Sequence, residues 1–401
     1  MRIPSAGTPI SLIDLFAGLK AILSGKVSIK AFEEGLRHIL GVKKAFAVGS
    51  GAAAFYISLE VLKRLSNKKE VVLPAYTAPV LKLPVERAGL KIRLCEVSLK
   101  TFNLDPLRLE EVLTEDTLCI VAVHLFGIPC EMPKIQKIAM ENGVFLIEDN
   151  AQSLGSRIDG KLTGGGGDIG ILSFQRGKNL STYTGGAVVT SSEVIGELIK
   201  KEFDRFGLGK YQVNLPIIIK TFLVSMIVKP EVYGIIHPLA APFKSRELHK
   251  NFDVKDYTPF QAGLGISLLK RLEEFSIMRN RNGMKLLNGL SGRKGYILPL
   301  NESFSTNPLE GSFPAFSQFP VIVEDKERVE KLQERLWDEG TEATRMYLKP
   351  MHRLFDLGYP DNPDPFPNAT FMAERLLLLP THPFVPEMYL ARVVEIIRSK
   401  S

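Results

Sequence analysis

Residues 118–150 read LCIVAVHLFGIPCEMPKIQKIAMENGVFLIEDN. The run LCIVAVHL (118–125) is almost wholly apolar, and so is VFLIED (144–149) up to its last two residues. Between them, EMPKIQKIAMENG spaces its apolar residues as a helix does. Successive side chains of a strand point to opposite faces, so a run apolar at nearly every position must be buried on both. Two such runs separated by a helix point to parallel strands in a sheet covered by helices on both sides.

The same signature recurs on either side. Apolar runs appear at KAFAVGS (44–50), VVLP (71–74), IRLCEV (92–97), IGILSF (169–174) and AVVTS (187–191), and AAFYISLEVLKRLS reads as another intervening helix. Seven runs predict an α/β fold whose sheet is mostly parallel and seven-stranded, with ligands expected where strands end and loops begin. Residues 1–40 hold two short amphipathic helical patterns, and 193–210 reads as a charged helix. The stretch 258–288 reads as one long helix. FPVIV (319–323), KERVEKLQERLWDEG and PEMYLARVVEIIRS then give an α+β pattern. The expected division is a large domain over 1–250 and a smaller α+β C-terminal domain over 251–401. Residues 215–243, LPIIIKTFLVSMIVKPEVYGIIHPLAAPF, are unusually apolar but broken by Lys220, Lys229 and Pro230. They fit a helical excursion packed on the core or at a subunit contact, or a peripheral element touching lipid or a hydrophobic partner.

Composition narrows the class. The 401 residues are 45% hydrophobic and 24% charged, with a formal net charge of +7, as expected of a soluble globular chain. The mild basicity suits an anionic ligand, but there is no dense Lys/Arg run of the kind that marks a nucleic-acid tail, so no nucleic-acid partner is expected. Cys95, Cys119 and Cys130 form no CxxC pair and read as small core residues in a reducing compartment. No His/Cys/Asp cluster has metal-ligand spacing. Pro, Asp and Lys interrupt the apolar residues of the first twenty positions, and no 18-residue apolar run follows. The expectation is a cytoplasmic protein without leader or membrane span.

Three polar features sit at predicted strand ends. AVGSGAAAFY (47–56) is a strand, a Gly-Ser-Gly turn and a helix start, where free backbone N–H groups and the Ser50 hydroxyl could hold an anion. IEDNAQSLGS (147–156) puts Glu148 and Asp149 at a strand end on opposite faces, so that one can face a crevice. ILSFQRGKNLSTYTGGAVVT (171–190) carries Lys178 between two strands, ahead of Gly185-Gly186. Each has an ordinary reading alone: a tight turn, a helix cap or ion pair, a solvated loop charge. Together they supply the three polar anchors of pyridoxal 5'-phosphate: a phosphate cup, a carboxylate at the ring nitrogen and a desolvated amine for the aldehyde.

At these residues the chain resembles the DegT/DnrJ/EryC1/StrS sugar aminotransferases, a branch of fold-type I (aspartate aminotransferase-like) pyridoxal-phosphate enzymes. AVGSGAAAFYISLEVL, VAVHLFGIPCEMPKIQKIA, IEDNAQSLGS, GDIGILSFQRGKNL, GGAVVTS, QAGLGISLLKRL and LLLLPTHPF all fall in family order. The resemblance implies that Lys178 binds the cofactor aldehyde and then moves the substrate α-proton, and that Asp149 pairs with the ring nitrogen. It places Ala151 against one ring face and Gln152 on the ring hydroxyl. Ser173 and the Ser50–Gly51 turn would hold the phosphate. It implies transfer of an amino group from an amino acid, commonly glutamate, to a nucleotide-linked keto sugar in glycan or cell-surface polysaccharide biosynthesis, by a homodimer with active sites at the subunit interface. Arg345, Tyr347 and His352, in TRMYLKPMHRL (344–354), fall in the segment that lines the entrance and are candidate substrate contacts, though a structural loop fits them too.

The chain also departs from the family. Ala52 stands where a threonine usually follows Ser-Gly. Ala78 stands at an aromatic position, leaving Tyr76 as the candidate ring cover. Thr184 replaces the acid before the double glycine, at the edge of the substrate site. The Asn-Tyr-Arg stretch is not recognisable in NFDVKDYTPFQAG, where Lys255 offers a substitute cation. Two further readings stay open. One is a pyridoxal-phosphate enzyme of the same fold acting as a deoxysugar dehydratase, some of which carry histidine in place of the lysine, or on a non-sugar substrate. The other is a non-catalytic relative that binds a ligand or partner through 215–243.

Overall fold

The computed structural model describes residues 2–210, 212–240, 250–299 and 304–399. Its centre is a seven-stranded sheet of β1 (Lys44–Val48), β2 (Glu70–Pro74), β3 (Lys91–Cys95), β4 (Thr117–Val123), β5 (Phe145–Asp149), β6 (Ile169–Ser173) and β7 (Gly186–Thr190). The spatial order is β1-β7-β6-β5-β4-β2-β3. Only β7 runs against its neighbours, and the remaining pairs are parallel. All seven residues of β4 are buried, as its unbroken apolar run requires. The three cysteines are buried and unpaired.

Register decides where the strand ends meet. Val123 pairs with Asp149, Asp149 with Ile171, and Ser173 with Gly186, which also pairs with Val48. The loops after β1, β5 and β6 and before β7 therefore open at one end of the sheet. That is the crevice position favoured in open α/β sheets.

A second, antiparallel sheet orders β8 (Tyr296–Ile297), β9 (Phe319–Val323) and β10 (Leu376–Leu379), with helices Lys326–Asp338 and Glu387–Arg398 nearby. A short ribbon of residues 157–158, 161–162 and 312–313 forms a third. One apolar cluster runs from Val121 and Ile147 of the large sheet to Phe319 and Leu377 of the second.

The N-terminal residues cross this assembly as a strap. Ile3 bridges to Thr341, the Pro4 carbonyl accepts from His382 Nε2 at 2.8 Å, and the Gly7 carbonyl accepts from Arg279 at 2.7 Å. Helices Leu12–Ser24 and Lys26–Leu40 follow; the first starts at a capping box made by Ser11 and Asp14. Residues 258–288 form two helices rather than one, Pro259–Leu269 and Leu272–Leu290. Arg271 leaves helical geometry at φ −109°, ψ 4°, and its guanidinium reaches back to Asp14 (3.1 Å) and the Pro9 carbonyl (3.3 Å). Tertiary anchoring thus overrides a helical pattern that is continuous in sequence.

The apolar excursion forms helices Leu215–Ile227 and Pro230–Ala240; its residues 241–243 lie outside the described ones. Tyr233 donates its hydroxyl to Glu342 at 2.5 Å, and the His237 ring stands 4.4 Å from that of Trp337. Among the described residues no helix is long and apolar enough to cross a membrane.

Candidate active site

Alternation along β5 separates its last two carboxylates. Glu148 turns away from the crevice into a closed set of donors. His124 Nε2 lies 2.7 Å from one oxygen, and the backbone N–H groups of Gly164 and Gly166 donate at 2.7 and 2.6 Å. His124 Nδ1 accepts the Cys130 N–H at 2.9 Å, so the ring carries its proton on Nε2 and gives it to Glu148. Burial opposes the charge on Glu148, but the imidazole and the two amides outweigh it and hold its pKa below the ordinary carboxylate value.

Asp149 has the opposite surroundings. It is 4% exposed, and one oxygen accepts the Ala151 N–H at 2.9 Å. No hydrogen bond among the described residues reaches the other oxygen. Burial raises its pKa, against the opposing pull of the Ala151 amide, Lys178 and His124. The Lys178 amine is likewise without a hydrogen bond among the described residues, and burial lowers its pKa although Asp149 attracts its charge. A carboxylate short of a donor thus stands within electrostatic reach of an amine inclined toward its neutral, nucleophilic form.

Three elements fix the Lys178 loop. Phe174 and Arg176 donate their N–H groups to the carbonyls of Gly185 and Tyr183, and Asn179 donates to Leu154 and Ala315. Thr8, on the strap, donates its hydroxyl to the Lys178 carbonyl at 2.7 Å. Nothing local in the sequence marks Thr8, because its partner lies 170 residues away.

The turn after β1 forms a narrow cup. Ser50 caps helix Gly51–Leu65, its Oγ accepting the Ala53 N–H at 3.1 Å. The first N–H groups of that helix, those of Gly51 and Ala52, have no intrahelical acceptor. A Cβ on Gly51 would stand 2.9 Å from Ser173 Cβ, and one on Gly186 would stand 2.6 Å from Gly51 N. Glycine is required at both positions for Ser50, Ser173 and the double glycine to close together. Positive helix-end amides with serine hydroxyls beside them suit a phosphate.

The other predicted residues divide. Gln152 accepts the Phe126 N–H at 3.0 Å and donates to the Tyr347 hydroxyl at 3.4 Å. Burial and the nearby Asp149 charge raise the Tyr347 pKa. Tyr347 holds φ at +52°, a left-handed backbone that is strained for any residue but glycine. Tyr76 meets the Tyr347 ring edge-on at 5.8 Å and donates its hydroxyl to the Met346 carbonyl. Thr184 instead faces Gln261, whose amide donates to its hydroxyl and carbonyl at 3.0 and 2.8 Å. Arg345 pairs with Glu330 at 3.0 Å and donates to the Glu374 carbonyl at 2.8 Å. His352 lies 3.0 Å from Asp364 and packs on Phe366, and burial lowers its pKa. The Lys255 side chain is exposed and paired with Asp253 at 2.7 Å, while its carbonyl accepts the Gly49 N–H beside the cup at 2.8 Å.

The DegT/DnrJ/EryC1/StrS aminotransferase family model matches residues 17–398. The chain belongs to this family. A Saccharopolyspora spinosa relative, dTDP-4-dehydro-2,6-dideoxy-D-glucose 3-dehydratase, is 29% identical over 300 residues; the match covers 73% of this chain but only 62% of that relative. Helicobacter pylori PseC, an aminotransferase involved in the biosynthesis of pseudoaminic acid, shares the fold with a TM-score of 0.78 at 19% identity over 99% of this chain and 98% of its own. Escherichia coli GDP-4-keto-6-deoxy-D-mannose-3-dehydratase with bound hydrated pyridoxal phosphate does so at 0.75 and 20%, over 99% of this chain and 100% of its own. The DegT/DnrJ/EryC1/StrS proteins are thus sugar-modifying enzymes that use pyridoxal phosphate, and they include both aminotransferases and dehydratases.

Proposed function

We propose that this chain is a pyridoxal-phosphate-dependent aminotransferase that moves an amino group from an amino acid, glutamate first, to a nucleotide-linked keto sugar. The observation that carries the reading is that Lys178, a half-buried amine with no hydrogen bond among the described residues, stands near Asp149, a buried carboxylate with only one of its oxygens hydrogen-bonded among them. When bound, pyridoxal phosphate supplies an electron-withdrawing ring that stabilises negative charge on the substrate α-carbon. Asp149 would accept the proton of the ring nitrogen, which would complete its own hydrogen bonding. Ser50, Gly51, Ala52 and Ser173 would hold the phosphate, and Ala151 would line one side of the ring site. Gln152 would serve the ring hydroxyl. Lys178 would hold the cofactor through its amine and would carry the substrate α-proton as base and then as acid. Tyr76 and Tyr347 close the crevice where Ala78 leaves the family's aromatic position open. The protein works as a homodimer, and the product feeds glycan or cell-surface polysaccharide assembly.

The second reading, a deoxysugar dehydratase, draws on the 29% identical dehydratase relative. Lys178 weighs against it, because those dehydratases that replace the lysine use a histidine that cannot hold the cofactor covalently. One experiment separates the two. Protein loaded with pyridoxal phosphate is mixed with glutamate and screened against keto nucleotide-sugars. Transamination predicts conversion of the visible band to that of the amine form, and an amino sugar formed in step with 2-oxoglutarate. A deoxygenated sugar with no nitrogen gained would favour the dehydratase. No spectral conversion with any amino donor would rule out transamination.

A further inference from the structure

Helix Leu215–Ile227 is built the wrong way round for water. Its buried positions include Thr221 and Ser225, whose hydroxyls turn back onto the helix carbonyls of Ile217 and Phe222, each at 2.7 Å. Its outward positions are Leu215, Ile219, Leu223 and Met226, at 61, 51, 53 and 59% exposure. Their spacing of four, four and three residues makes one continuous stripe. Ile235, on the next helix, is also exposed. Ile218 anchors the inner side in the apolar cluster that also holds Phe174, Tyr257 and Phe260, so the stripe is carried on a fixed support. An apolar stripe of this length on a soluble protein marks a contact surface.

Charge selects the occupant. From 206 to 230 the chain has three lysines, Lys210, Lys220 and Lys229, and no Asp or Glu. All three are exposed. Where a two-fold contact with a second copy set this segment near its axis, lysines would face lysines, with no carboxylate inside the segment to answer them and the next one along the chain at Glu231. An anionic lipid surface answers both features at once: acyl chains take the stripe and headgroups take the lysines. At about 1.5 Å per residue the helix spans roughly 20 Å, enough to lie in the interface and too short to cross it. We propose that Leu215–Ile227 seats this protein on the surface of an anionic bilayer, with the stripe in the headgroup–acyl boundary and Lys220 and Lys229 at the phosphates.

The test is flotation of the cofactor-loaded, full-length protein with vesicles of phosphatidylcholine alone or mixed with phosphatidylglycerol. Wild type should float with the mixed vesicles, far less with the neutral ones, and lose binding as salt rises. Ile219→Glu combined with Leu223→Glu should reduce binding about tenfold or more, since two apolar side chains leave the boundary. Lys220→Glu combined with Lys229→Glu should remove the preference for phosphatidylglycerol. Both variants should retain the wild-type cofactor spectrum and circular dichroism, because every substituted side chain points outward. Equal binding to both vesicle types, no flotation, or an Ile219/Leu223 variant that floats like wild type would overturn the proposal. So would a shift of that variant to a smaller oligomer by light scattering, which would give the stripe to a second copy.

Discussion

Glu148 and Asp149 are neighbours on one strand, both buried, and they meet opposite fates. Glu148 has an imidazole N–H and two backbone amides around it, and its charge is stabilised in place. Asp149 has one amide, an oxygen without a donor among the described residues, and a pKa raised by burial. The difference separates a carboxylate that finishes a fold from one that waits for a ligand. Polar groups in a fold are mostly satisfied, so a carboxylate with one oxygen left open, near a lysine that also has no hydrogen bond among the described residues, reads as a site for a ligand.

That contrast can be broken at several points. The largest effect should come from Lys178→Ala, which removes covalent attachment of the cofactor and the proton carrier together. Turnover should fall by about 10²–10⁴-fold or more, and the visible band should no longer bleach with borohydride. Asp149→Asn comes next. It should cost about 10²–10³-fold in kcat/KM through lost stabilisation of the ring charge. Yet the cofactor-free protein should melt no lower at neutral pH, because the substitution removes a poorly solvated charge. Glu148→Ala should do the reverse. Stranding His124 and two amides costs about 3–5 kcal/mol of stability, read from urea unfolding, while any protein that folds should still bind the cofactor.

The same contrast has a sign in pH. Glu148 has a folded pKa below its ordinary value of 4.5, so its contribution is present above that value and is lost as pH falls through the folded pKa. Asp149 has a folded pKa above its ordinary 3.8. Its contribution is present below 3.8 and is lost as pH rises through the raised value. Melting of the cofactor-free protein across acid pH should therefore lose part of its acid sensitivity in Glu148→Gln, the rest staying with other carboxylates of lowered pKa such as Glu60 and Glu374. In Asp149→Asn the decline on the rising side should become shallower, with Glu33 and Glu96 supplying what is left. The smallest effect belongs to Thr8→Val, about 1 kcal/mol for one hydrogen bond. Thr8→Ser should restore it, and chemical labelling of Lys178 in the cofactor-free protein should report the loosened loop.

The seven strands were readable because double burial demands unbroken apolar runs, and each observed strand lies within a few residues of its run. Alternation along β5 also showed that only one of its two carboxylates could face the crevice. It could not name His124 as the partner of the other, because that contact joins two strands. The strap at residues 2–10 was invisible for the same reason. Its anchors, Thr341, Arg279 and His382, lie hundreds of residues away, and a segment held by long-range hydrogen bonds carries no periodicity. Arg345 and His352 stand in the entrance segment by sequence; in the structure they reach Glu330, the Glu374 carbonyl and Asp364, while Arg345 Nε and His352 Nδ1 stay buried without a partner among the described residues. Position along a chain shows which side chains can arrive at a site; local pairing decides which of them turn into it.

The central claim is that Lys178 and Asp149 form one cofactor site, and borohydride reduction followed by peptide mapping tests it most directly. The purified protein is incubated with pyridoxal phosphate, reduced and digested. The account predicts one pyridoxyl group, on Lys178, with much weaker labelling in Asp149→Asn at limiting cofactor. Labelling spread over surface lysines, or a peptide containing Lys178 that stays unmodified, would contradict it.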